Sequence, residues 1–250
     1  MIGFIQSEWI KYRRTLTPWI IVCGPLILAL AQAIFNIIAP IGATWEHTWM
    51  NVFNWWSVVG IPIGAALLSA LSVSYEKRSG AWKVLRVNSF STNKLYWAKY
   101  TILSIQTLFA SVFFTIFVFL FNFWQVSGEL IILDVLTGSI VAWFSALAQL
   151  AIMVWIAHMI GFGGTICVGL AGFVSGALMA EKSYWIINPW AWPIRALEPI
   201  FGFHANGMAL ENDSPFWDPS VIPIAIFLSI IGVIVFLILG SVWFNRREVR

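Results

Sequence analysis

Long apolar stretches parted by short polar intervals dominate this chain. Six stand out, at 18–39, 52–74, 97–121, 136–160, 162–180 and 221–244. Each is near the ~20 residues that cross a ~30 Å hydrocarbon core. The pattern predicts a single domain, 1–250, that is an all-α integral membrane protein with six transmembrane helices. Ahead of the first span, Ile2, Ile5, Trp9, Tyr12 and Leu16 recur at helical spacing, with Lys11 and Arg14 off that stripe. Residues 1–17 are therefore expected to form an interfacial helix, and Pro18 to open the first span. Ala31-Gln32-Ala33 has the small-residue look of a signal cleavage site. The apolar run continues through Ile38, however, so the stretch reads as an uncleaved transmembrane helix.

The intervals differ in character. Between the fourth and fifth spans, His158-Met159-Ile160-Gly161-Phe162-Gly163-Gly164 leaves only a tight cytoplasmic turn. Gly60 with Gly64, and Gly172 with Gly176, leave room for close backbone approach between helices. The longest interval, 181–220, is itself apolar in part. Ile186, Ile187, Trp190, Trp192, Ile194, Leu197 and Phe201 are broken there by Pro189, Pro193 and Pro199. Irregular backbone at membrane depth needs protein or water to satisfy its polar groups, so re-entrant or interfacial helices are expected before the last span.

Composition agrees with a bilayer as solvent: 60% of the 250 residues are hydrophobic and 10% charged, against about 25% charged in soluble domains. The charge pattern adds a topology. Lys11, Arg13 and Arg14 precede the first span. Lys77, Arg78, Lys83, Arg86, Lys94 and Lys99 cluster between the second and third. Arg246, Arg247 and Arg250 follow the last, and only Lys182 and Arg195 lie elsewhere. Basic loops stay in the cytoplasm, so both termini and the 75–96 segment are expected inside and 181–220 outside. The net charge of +3 then reads as anchoring to anionic lipid; no basic stripe suits nucleic acid. Trp45, Trp49, Trp55, Trp56, Trp124, Trp185, Trp190, Trp192 and Trp217 fall near expected outer ends, as in an aromatic belt. Trp185, Trp190 and Trp192 are also candidates for a substrate-proximal outer region.

Catalytic chemistry is missing. The chain has no G-x-x-x-x-G-K-[ST] loop, H-E-x-x-H, C-x-x-C or G-x-S-x-G motif, and no loop large enough for an ATPase domain. His47, His158 and His204 share no ligand spacing, and Cys23 and Cys167 lie within apolar spans, so no metal site or disulfide is expected. The spans lack the mid-membrane Asp, Glu or His that proton- or sodium-driven transport usually needs, His158 being the nearest candidate. If the protein transports, its energy comes from a partner.

The informative interval is Tyr75-Glu76-Lys77-Arg78-Ser79-Gly80-Ala81-Trp82-Lys83-Val84-Leu85-Arg86, followed by Lys94 and Lys99. A short helix with Trp82, Val84 and Leu85 among charges suits docking in a groove on a soluble protein. Here the chain resembles the membrane subunits of type 2 (ABC-2) ABC exporters. Glu76, Arg78, Gly80, Val84-Leu85 and Lys99 follow that family's order, with Asn88 or Ser89 where a Pro often stands and Ala81 for a common Thr. Trp82-Lys83, the small size and Pro189-Trp190-Ala191-Trp192-Pro193 resemble lantibiotic-immunity permeases within it. The resemblance implies a non-catalytic permease in the plasma membrane of a Gram-positive bacterium, expelling an amphipathic antimicrobial peptide. It implies a separate ATPase dimer that carries ATP and Mg, and a second, related permease. It also makes Glu76, Lys77, Arg78, Gly80, Trp82, Lys83, Leu85 and Arg86 the ATPase contact. A membrane scaffold or sensor that binds an outside ligand through 181–220 is the alternative reading of the same residues.

Overall fold

The computed structural model describes residues 2–12, 15–39, 43–78 and 92–248. Among them the secondary structure is helical, with two isolated bridges, Thr44 to Ser127 and Phe203 to Ala209, and no strand. The helices are α1 (Ile2–Tyr12), α2 (Thr17–Ile38), α3 (Trp45–Trp55), α4 (Ile61–Arg78), α5 (Thr92–Asn122), α6 (Ile132–Met179), α7 (Ala191–Phe201) and α8 (Val221–Glu248). A π-helical turn, Trp56–Gly60, makes α3 and α4 one continuous rod. Counting that rod once, five helices are long and apolar enough to cross a membrane.

Two of the expected apolar stretches, 136–160 and 162–180, lie along α6. At 1.5 Å per residue a straight helix of that length would extend roughly 72 Å, more than two hydrocarbon thicknesses. Gly161 interrupts it with φ 74° and ψ −166°, a conformation essentially confined to glycine. The chain doubles back there. Gln149 Nε2 donates to Pro189 O at 3.1 Å, while a Cβ on Gly176 would stand 2.8 Å from Trp190 O. Residues from either side of Gly161 thus meet neighbouring residues of one loop, which only a folded-back pair of arms allows. The glycine spacing of the second arm serves that loop. A side chain on Gly172 or Gly176 would collide with Trp190.

The bundle has two distinct ends. At one, which holds both termini, α1 packs on α5, and Asn245 of α8 bonds Thr92 and Asn93 at the start of α5. The opposite end is covered by 181–220, which folds as α7 flanked by the short turns Trp185–Ile187 and Pro215–Trp217. Glu181 pins this cap by accepting from Ala205 N at 2.7 Å, and His204 stands between Glu181 (3.2 Å) and Glu211 (3.3 Å). Asn54 Nδ2 ties the cap to α3 through His204 O at 3.0 Å.

Aromatic packing joins the cap to the bundle. Phe53 stacks on Phe201 of α7 at 4.0 Å, and Trp56 on Phe114 of α5 at 4.4 Å. This changes the reading of the tryptophans. Trp45, Trp49, Trp56, Trp185 and Trp192 are buried; Trp55, Trp124 and Trp217 are exposed as belt residues should be. Periodicity cannot separate an indole that packs inside a cap from one that faces headgroups, because both sit at helix ends. On α1, Trp9 and Ile10 face outward, while Glu8 and Tyr12 are buried.

Gly161→Ala should lower unfolding stability by about 1–3 kcal/mol, since alanine tolerates this backbone region poorly. Reversible unfolding in mixed detergent micelles measures it, and an unchanged midpoint would mean that the break does not need glycine.

Candidate functional site

The terminal end of the bundle holds a cluster of charges far more buried than the sequence suggests. Helical spacing places Glu8, Lys11 and Tyr12 on one face of α1, and Ser72 and Glu76 on one face of α4, at i, i+3 and i+4. Lys99 enters from the second turn of α5. Glu8 is 0% exposed, Glu76 3% and Lys99 1%. Lys99 Nζ lies 2.8 Å from Glu76 Oε1 and 3.4 Å from Glu8 Oε2, and donates to Ser72 Oγ at 3.1 Å. Lys11, at the partly exposed edge, pairs with Glu8 and reaches Glu76 Oε1 at 3.1 Å. The Tyr12 hydroxyl bonds Ser72 Oγ at 2.6 Å; burial raises its pKa, so it remains a neutral partner.

Two carboxylates and two ammonium groups leave the cluster neutral. An isolated ion in a low-dielectric interior costs several kcal/mol, and geometry with added hydrogen bonds is what offsets it. Lys99 is the centre, since it alone touches both carboxylates from within the core. The cluster therefore clamps three helices, α1, α4 and α5, at a single point. It has no open nucleophile or acid–base pair, and no metal-holding group of His, Cys, Asp and Glu occurs among the described residues. What it can do is mechanical.

Its position gives that role content. Residues 79–91 connect α4 to α5, and the cluster grips both flanking helix ends. Of the expected contact residues, Glu76 is in the cluster. Lys77 is exposed, with its ammonium 3.7 Å from where a Cβ on Gly161 would stand. Arg78 is the last residue of α4. Gly80, Trp82, Lys83, Leu85 and Arg86 lie outside the described residues. His158, one turn before Gly161, is buried, its Nδ1 2.8 Å from Val154 O and its ring 4.9 Å from Phe244.

At the capped end, Trp185 and Trp192 are packing residues, Trp192 Nε1 donating to Ile186 O at 2.9 Å. Trp190 fills the space over Gly172 and Gly176. Arg195 pairs with buried Glu198 at 2.6 Å, and its guanidinium lies 4.8 Å from the centre of the Phe216 ring. Burial pushes the Glu198 carboxyl up to about 8 against the opposing pull of Arg195.

Sequence reasoning found Glu76 and Lys99 but not their partners. Glu8 and Lys99 are 91 positions apart. The available hint was chemical: Glu8 interrupts an apolar and basic segment, and Lys99 interrupts an apolar run.

The family model described as ABC-2 family transporter protein matches residues 4–176, more than half of the chain. The chain belongs to the ABC-2 transporter family. No curated protein and no solved structure gives a match. As an ABC-2 permease it is a non-catalytic, multi-pass membrane subunit of an ABC transporter, of a kind that typically pairs with an ABC ATPase. The match spans α1 through most of α6, so it contains the whole charge cluster and the Gly161 break.

Lys99→Met in this ABC-2 permease should cost about 3–5 kcal/mol, because Glu8 and Glu76 lose the ammonium that compensates both. Lys11→Met, at the solvent edge, should cost about 1 kcal/mol or less. Equal effects in detergent unfolding would contradict a cluster centred on Lys99.

Proposed function

We propose that this permease is one membrane half of an ATP-driven exporter that expels a lantibiotic or similar amphipathic antimicrobial peptide, giving its Gram-positive host immunity. A separate ATPase dimer supplies ATP and Mg chemistry, and a related second permease completes the membrane part. The permease crosses the plasma membrane six times with both termini inside. The doubled-back α6 supports the count. The three basic blocks support the orientation, since Lys11, Lys77 and Arg246 gather at the terminal end.

The observation that carries the coupling is the Glu8–Lys11–Glu76–Lys99 cluster. The intracellular segment 79–91 is the handle, docking through Trp82, Val84, Leu85 and flanking charges Lys83 and Arg86 in a groove on the ATPase. A pull on that segment reaches α4 and α5 together, because Lys99 and Glu76 hold their ends. It also reaches α1 through Glu8. Substrate motion is thereby linked to nucleotide state with no ionisable group moving across the bilayer.

Trp82→Asp should abolish copurification of the ATPase while leaving the unfolding midpoint of the isolated permease unchanged. Retention of the ATPase by that variant would place the contact elsewhere. Deleting the permease should sensitise the host to at least one lantibiotic in a broad panel; unchanged sensitivity across the panel would sink the peptide assignment.

A further inference from the structure

Two cavities meet at Leu28, along the seam between α2 and the α3–α4 rod. The cap-side chamber, about 470 Å³, is lined by Gln32, Phe35, Asn51, Asn54, Trp55 and Asn206 among others. The deeper one, about 250 Å³, lies among α2, α4, α5 and α6, with Gly24, Gly60, Gly64, Trp143 and Leu150 on its walls. Among the described residues, no ionisable side chain lines either chamber.

Their hydrogen-bonding demands are opposite. In the deeper chamber the hydroxyls of Thr107 and Ser111 and the indole N–H of Trp143 are already committed. Thr107 Oγ1 donates to Ser104 O (2.8 Å), Ser111 Oγ to Thr107 O (3.2 Å), and Trp143 Nε1 to Ser104 O (3.1 Å). Such a wall accepts hydrocarbon and penalises an amide. Engineered apolar cavities of about 150 Å³ already hold benzene, so there is room for a larger apolar group. Gly24 and Gly64 each face open space, with no atom within 4 Å of a built Cβ. Glycine there weakens a helix without serving any contact.

The cap-side chamber is unsaturated, and the direction of its bonds is fixed. Val118 O can only accept, so Asn122 Nδ2 donates to it (2.8 Å). Asn122 Oδ1 must then accept from Asn36 Nδ2 (2.9 Å), and Asn36 Oδ1 from Gln32 Nε2 (2.9 Å). Gln32 Oε1 is left over, pointed by a relay that ends on the backbone. Asn54 Nδ2 is likewise committed to His204 O, which leaves Asn54 Oδ1. Neither oxygen, nor either end of the Asn51 amide, has a hydrogen-bond partner among the described residues. The chamber thus offers two acceptors and one amide of either sense, beside Phe35 and Trp55.

We infer that this seam binds an uncharged peptide segment: its backbone N–H groups meet Gln32 and Asn54, Asn51 pairs with an adjacent peptide group, and one apolar side chain or acyl group passes Leu28 into the deeper chamber. The inference rests on the export reading for its substrate and supplies that reading with a site. A glycerophospholipid fits less well, because its ester groups bring no N–H donor and no cation stands near to meet its phosphate.

The test uses the full-length permease in phosphatidylcholine nanodiscs, without ATPase. The probe is octanoyl-trialanine amide with a diazirine on the octanoyl end. Its depsipeptide twin, with esters replacing the internal amides, and a phosphatidylcholine with a diazirine on one acyl chain are the other arms. The amide probe should label the walls around Gly24 and Leu150, and Gly64→Leu should abolish that labelling by filling the chamber. The depsipeptide should bind roughly tenfold more weakly, the scale of losing two neutral hydrogen bonds. Asn51→Leu, which breaks no bond of the fold, should weaken the amide probe severalfold and leave the depsipeptide little changed. Equal labelling by amide and depsipeptide would overturn the inference. So would labelling indifferent to Gly64→Leu, or a phosphatidylcholine probe that labels the same walls and resists competition by the peptide. Because labelling needs neither ATPase nor export, its failure leaves the immunity assay standing, and a failed immunity assay leaves the labelling result standing.

Discussion

Glu8 and Glu76 are buried carboxylates at the end of a bundle made for lipid, and Lys99 is the group that makes their burial tolerable. Around that ammonium, α1, α4 and α5 are fixed to one another within a few ångströms. Apolar packing alone would not do this. In a bilayer, helices gain little from burying hydrocarbon against hydrocarbon, whereas removing one partner of a buried ion pair carries the full cost of the stranded charge. The cluster thus joins α1 to the two helix ends that flank residues 79–91.

The opposite end is built on another principle. The cap is held by carboxylates around His204, by the Arg195–Glu198 pair and by the stacking of Phe53 on Phe201. Trp190 fits where Gly172 and Gly176 have no side chains. Between the two ends lies the seam along α2 and the α3–α4 rod, with amides on its cap side and an apolar chamber beyond Leu28.

Much of this was legible in the residues. The apolar runs lie along the long helices, and Gly161 marks the break inside α6. The basic segment between the second and third spans drew attention to Glu76 and Lys99. What was not legible depends on pairing across distance. Glu8 carries no signal of its partner, because Lys99 is 91 positions away. Trp185 and Trp192 looked like belt residues because a cap built over a membrane protein uses the same residue types as the membrane surface. The amides Gln32, Asn36 and Asn122 carried no pattern at all, since their relay joins α2 to α5 and is visible only once those helices are side by side.

The central claim is that Glu76 and Lys99 act as one unit that joins α4 to α5. A double-mutant cycle of Glu76→Gln and Lys99→Met, read by reversible unfolding in mixed micelles, measures this directly. The account predicts that the two losses fall short of additivity by about 1–3 kcal/mol, as for residues in a shared ion-pair network. Additivity within about 0.5 kcal/mol would show that the two side chains do not depend on each other, and would contradict the account.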